Sequence, residues 1–69
     1  MSDTVEIRGE SIRLGQLLKA VGVVDSGAEA KALLAEEGVA VNGEAESRRG
    51  RQIRRGDVVA VRGREIRAV

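Results

Sequence analysis

The sequence predicts a small α+β fold: one short leading strand, two packed helices, then a small antiparallel β-sheet. Three observations carry that prediction. Apolar residues alternate at the start of the chain, switch to helical spacing across residues 11–38, and return to alternation afterwards. Two helical patterns follow one another, each ending at a glycine, and the second opens on a capping signature. An Asn-Gly pair then separates two strand-like runs, the strongest short-range signal for a tight hairpin.

Taken in order, TVEIRG places Val5 and Ile7 on one side and Glu6 on the other, as a half-buried strand does. In SIRLGQLLKAVG, Leu14, Leu17, Leu18 and Val21 fall at i, i+3, i+4 and i+7, one face of a helix, with Ser11 placed to cap it and Gly22 to stop it. Gly15 inside that helix costs about 1 kcal/mol against Ala, so the segment is not optimised for helicity alone. Val23-Val24-Asp25 is a tight link to the second helix. That helix opens on the capping-box pattern Ser26-Gly27-Ala28-Glu29, buries Ala30, Leu33 and Leu34, and ends at Gly38. VAV-NG-EAE is a hairpin with Val39 and Val41 inward. SRRGRQIRR reads as irregular, anchored only by Ile53. GDVVAVRG supplies a further strand turning near Arg62-Gly63, and REIRAV returns antiparallel with Ile66 and Ala68 inward. Residues 1–69 form one domain, with no repeat and no linker.

Composition narrows the chemistry. Phe, Tyr and Trp are absent, so 19 Leu, Ile and Val residues with Ala must build the core. Without Cys there is no disulfide or thiolate, and without His the commonest metal ligand and general base is gone. No phosphate loop, HxxxH, CxxC or nucleophile–base pairing is present, so the chain reads as non-enzymatic, with no cofactor and no catalytic or metal site. The opening MSDTVEIRGE has no apolar run, which predicts neither signal peptide nor membrane span, and a small chain without disulfides fits a reducing cytoplasm.

The net charge of +1 conceals a division. Residues 1–47 carry four basic and nine acidic side chains, a sum of −5, whereas residues 48–69 carry eight and two, a sum of +6. Within the second part, Arg48, Arg49, Arg51, Arg54 and Arg55 crowd into eight positions. A solvated turn explains such a run most blandly. Three features favour a polyanion: all five are Arg, suited to bidentate phosphate contacts; no acid lies among them; and rigid elements flank the segment. Arg13 falls in the first turn of helix one, where the macrodipole disfavours a cation by about 0.3–1 kcal/mol, and either Glu10 or an incoming phosphate on the free helix amides would offset that. Ser26 and Gly27 cap helix two, yet Gly27 also leaves its amides open to an oxyanion that Lys31 could reach; the plain alternative for Lys31 is a surface lysine. Asn42 is economically a turn residue, and Glu36-Glu37 and Glu44-Glu46 sit where no pocket is expected.

From Ile12 to Val59 the chain resembles the S4 domain, the small RNA-binding module (alpha-L motif) named after a ribosomal small-subunit protein. The resemblance runs through Arg13-Leu14, Ser26, Ala30 with Leu33-Leu34, Val39-Ala40-Val41-Asn42-Gly43 and Gly56-Asp57-Val58-Val59. Short stand-alone bacterial members with a leading strand look most alike, through DSGAEAKALL and VNGEAESRRGR. In that family RNA lies against the starts of the two helices and the adjoining loop. The resemblance therefore implicates Arg13, Ser26, Gly27, Lys31, Arg48, Arg49 and Arg51, and the candidate RNA-binding set adds Asn42, with Arg54 and Arg55 in support. At two positions the chain departs from the pattern: Gly15 replaces the usual Asp and Gly27 the usual Arg, as though the arginine loop supplied charge the helices lack. With no aromatic platform for base stacking, the expected mode is phosphate and shape readout of structured RNA, ribosomal or transfer, by a monomer with no membrane partner, alone or on a ribosome surface. Two rivals belong to other classes. VAVNGE and the following GD-V strand also resemble the ubiquitin-like sulfur carriers, whose chemistry needs a C-terminal Gly-Gly where this sequence has Arg67-Ala68-Val69; and the arginines could dock an acidic protein partner as an adaptor does.

Overall fold

The computed structural model describes residues 2–69. Strands β1 (Ser2–Val5) and β2 (Ile12–Arg13) precede helices α1 (Leu14–Ala20) and α2 (Gly27–Glu36). Then follow β3 (Val39–Val41), β4 (Glu44–Glu46), β5 (Gln52–Ile53), β6 (Val58–Val61) and β7 (Arg64–Ala68). The α+β class is the observed one. Five strands form the main sheet in the order β1-β7-β6-β3-β4, and β2 and β5 form a separate two-residue ladder.

Alternation decides which sheet face is buried. Val39, Val41, Val59, Val61, Ile66 and Ala68 point inward, while Ala40, Ala45, Ala60 and Glu65 register across the outer face. The inner face joins Leu14, Leu17 and Leu18 of α1 and Ala30, Leu33 and Leu34 of α2 in one core cluster, which also holds Ile7, Val24 and Ile53. The helices thus form a layer over one side of the sheet. Both hairpins turn through positive φ, at Asn42 (52°) with Gly43 (84°) and at Arg62 (49°) with Gly63 (75°), as primed turns demand. Gly22 ends α1 in a Schellman motif: its amide donates to the Lys19 carbonyl at 3.1 Å, and the Val23 amide donates to that of Leu18 at 3.0 Å.

Three details differ from the sequence reading. The leading strand spans Ser2–Val5 and lies parallel to β7 (Ser2 opposite Glu65, Val5 opposite Ala68), so the sheet is mixed. A parallel pairing leaves no hairpin signature, because the whole intervening chain is its connection. Helix one begins at Leu14 with Arg13, not Ser11, at the N-cap. The arginine segment is also less irregular than expected, since Gln52 and Ile53 pair with Arg13 and Ile12. That ladder lays residues 48–51 against the start of α1.

Candidate nucleic-acid interface

Two hydrogen bonds show how closely the loop meets the helix. The Leu14 amide donates to the Arg51 carbonyl at 2.8 Å, and the Gly15 amide donates to the Arg49 carbonyl at 2.9 Å. These are two of the free donors at a helix start. They are already occupied, which corrects the expectation that they await a phosphate. Arg13 lies just outside the helix with extended backbone (φ −75°, ψ 145°) rather than in the first turn, and its side chain is exposed.

At helix two the Ser26 hydroxyl accepts from the Glu29 amide at 3.1 Å, the cap the sequence predicts. The return bond of the capping box lands one residue early, because Glu29 Oε2 accepts from the Asp25 amide at 3.2 Å.

Between the two helix starts and the loop lies a groove of about 280 Å³, lined by Arg13, Gly15, Gln16, Lys19, Gly27, Arg49 and Gly50. Its lining holds three cations and no acid, and none of the three is in an ion pair among the described residues. Arg49 spans the groove. Its Cβ lies 3.4 Å from where a side chain on Gly15 would begin, and its Nη1 lies 3.3 Å from the corresponding point on Gly27. Nη1 also donates to the Gly27 carbonyl at 3.4 Å. Gly15 and Gly27, the two departures from the resemblance noted in the sequence, are the two glycines this arginine packs against.

The five arginines have separate employments. Arg48 and Arg51 both clasp Glu46, at 3.1 Å and 2.9 Å. No acid lies between residues 48 and 55, but Glu46 just before them pairs with two of the five and offsets one of their charges, so the expectation of a cluster with no local acid partner is corrected. The guanidinium of Arg48 and then that of Arg51 hold the Glu46 carboxyl down to about 2, the Arg48 backbone amide adding to this. Arg55 Nη2 donates to the Ile7 carbonyl at 2.7 Å, fastening the leading segment. The Arg54 amide donates to Asp57 Oδ2 at 2.8 Å within a turn, and this bond, with one from Asn42, lowers the Asp57 carboxyl below its usual range.

Asn42 is wholly engaged in architecture. Its Nδ2 donates to Asp57 Oδ1 at 3.0 Å and its Oδ1 accepts from the Val58 amide at 2.9 Å, which ties the first hairpin to β6. Lys31 stands exposed on α2, outside the groove lining. Of the sequence candidates, the groove therefore gathers Arg13, Gly27 and Arg49, with Ser26 beside it as a cap. Gln16 and Lys19 were missed. The signal was there, because residues 13, 16 and 19 step by three along the side opposite Leu14, Leu17 and Leu18.

Among the described residues no helix is long and apolar enough to cross a membrane, and no group of three or more His, Cys, Asp or Glu is placed to hold a metal ion. Residues 64–69 are bound into the sheet, with the Val69 amide donating to the Val5 carbonyl at 2.9 Å. Residues 5–69 match the family model described as the S4 domain. A relative from Bacillus subtilis (strain 168), "Probable ribosome maturation protein RlbA", is 46% identical over 63 residues, covering 91% of this chain and 89% of that protein.

Proposed function

The chain belongs to the S4 domain family, and on that premise we propose that it is a non-catalytic protein that binds structured RNA by seating backbone phosphates in the groove between its helix starts. The observation that carries this reading is the convergence of Arg13, Lys19 and Arg49 on one acid-free groove. Three cations gathered in one concave lining raise the local potential and draw a polyanion, while the bare backbone at Gly50, with open space around it, allows close approach. Arg13 and Arg49 are suited to bidentate contacts with phosphate oxygens, whereas Lys19 acts as a point charge.

The absence of Phe, Tyr and Trp removes any aromatic stacking platform, so affinity comes from phosphate and shape contacts rather than from reading splayed bases. The name of the Bacillus relative, a probable ribosome maturation protein, supports ribosomal RNA as the ligand class, in a particle undergoing maturation. Localisation in the cytoplasm and action as a monomer complete the proposal.

The test is a binding comparison across a salt series with refolded bacterial ribosomal RNA, duplex DNA of matched length and heparin. The proposal expects the tightest binding to the folded RNA at every salt concentration. Equal affinity for all three would reduce the groove to a general basic patch, and no binding to the RNA at low salt would overturn the proposal.

A further inference from the structure

Glu46 is the single buried charged residue among those described, 8% exposed at the end of β4 and opposite Val39. Its two oxygens accept five hydrogen bonds. Oε2 takes the amides of Ser47 (3.0 Å) and Arg48 (3.1 Å) and Nε of Arg48 (3.1 Å); Oε1 takes Nη2 of Arg48 (3.2 Å) and Nη1 of Arg51 (2.9 Å). A largely covered carboxylate with both oxygens so engaged restrains the loop, because each donor released from it gives up a charge-assisted hydrogen bond.

From this carboxylate the bonds lead directly to the groove. The clasped residues, Arg48 and Arg51, bracket Arg49, and the Arg51 amide closes the turn onto the Arg48 carbonyl at 3.2 Å. The turn so formed directs the Arg49 and Arg51 carbonyls at the Gly15 and Leu14 amides. It also lays the Arg49 side chain over Gly15 and toward Gly27. We infer that Glu46 is the positioning residue of the RNA interface: a buried acid that, by gripping the two arginines flanking Arg49, fixes Arg49 across the two helix starts. This rests on the proposed RNA-binding function and assigns the five arginines unequal parts, with Arg48 and Arg51 holding the loop and Arg49 meeting the phosphate.

Simple electrostatics predicts the opposite sign. Removing a carboxylate near a polyanion site should tighten binding. Glu44 on the same strand is exposed and makes no ion pair among the described residues, so Glu44→Gln changes the charge equally without touching the loop. Binding to refolded bacterial ribosomal RNA would be measured for both variants at a temperature where circular dichroism shows each folded. Expected is Glu44→Gln equal to the parent or up to about threefold tighter, and Glu46→Gln about threefold to tenfold weaker, with a log–log salt slope shallower by about 0.7–0.9, the loss of one phosphate contact.

Glu46→Asp is the second variant, keeping the charge but reaching one methylene less far, and it too should weaken binding. Hydrogen exchange at the Leu14 and Gly15 amides supplies a reading that needs no RNA, and both substitutions at Glu46 should accelerate it. Glu46→Gln binding as tightly as Glu44→Gln, or unaltered exchange in both Glu46 variants, would overturn the inference. Failure of the parent protein to bind the RNA would overturn the proposed function, while exchange would still report on the positioning.

Discussion

The two helix starts are built in different ways. Helix two is capped by its own neighbours: Ser26, three residues from Glu29, satisfies an amide with a side chain from the same short stretch. Helix one begins at Leu14 with no side-chain cap, and its first two amides are answered by carbonyls from residues 49 and 51, more than thirty positions away. One start is local chemistry and the other is tertiary structure. The difference teaches that the loop is part of the architecture of α1 as well as a carrier of charge. A single arrangement of residues 46–53 both starts the helix and shapes the groove.

The strongest way to break this comparison is Ile53→Ala. Ile53 is fully buried, pairs with Ile12, and pins the loop to helix one. Loss of such a side chain costs about 2–5 kcal/mol, and a core of this size supplies only about 3–5 kcal/mol. Urea denaturation should therefore show a largely unfolded variant, with any residual helix belonging to α2.

Acid separates the two starts next. The Glu46 carboxyl titrates at about 2 when folded, against 4.5 as an ordinary glutamate. Its folded value is depressed, so its stabilisation is fully present above 4.5 and disappears as pH falls from 4.5 toward about 2. Asp57 and Glu37 are lowered too, Asp57 chiefly by the Arg54 amide and Glu37 by the Arg62 guanidinium, and add loss of the same sign. In a pH titration followed by NMR, the Leu14 and Gly15 amides should leave their native shifts before the Glu29 and Ala30 amides at the start of helix two do.

Ser26→Ala sharpens the comparison from the other side. Removing a serine N-cap costs about 1 kcal/mol, which should appear as a lower denaturation midpoint. RNA affinity should stay within about twofold of the parent, because the Ser26 hydroxyl is spent on the Glu29 amide and lies outside the groove lining.

The smallest effect on stability is expected from Gly15→Ala. The added methyl lies 3.4 Å from Arg49 Cβ and 3.5 Å from the Arg49 carbonyl oxygen, at the near edge of ordinary contact, so at most a small shift of the loop is needed. The gain of about 0.5–1 kcal/mol in helix preference offsets this. Melting should therefore barely move, and RNA affinity should stay within about twofold of the parent because Arg49 keeps its place.

Much of the fold was legible because the information was local. The apolar stripes of both helices, the Asn42-Gly43 turn, the inward positions of β3 and β7 and the Ser26 cap all depend on residues a few places apart, and all stand as read. The parallel seat of β1, the Arg13 boundary of α1 and the β2–β5 ladder depend on distant partners that no periodicity encodes. The site divides in the same way. Clustering drew attention to the arginines, but composition treats the five alike, and only the fold sends Arg48 and Arg51 to Glu46, Arg55 to Ile7 and Arg49 to the groove. Glu46 read as half of a carboxylate pair on a hairpin; alternation puts Glu44 and Glu46 on one face, opposite Val41 and Val39, and only the fold shows that Glu46 alone is covered.

The most direct test of the central claim compares two triple variants of equal charge in a salt series with refolded bacterial ribosomal RNA. One is Arg13→Ala with Lys19→Ala and Arg49→Ala, which strips the groove; the other is Arg8→Ala with Arg54→Ala and Arg67→Ala, which removes three exposed arginines outside its lining. Three phosphate contacts contribute about −2 to −3 to the log–log salt slope. The account predicts that the groove variant loses most of that slope and the second variant keeps it. Equal flattening in both, or an unchanged slope in the groove variant, would contradict it.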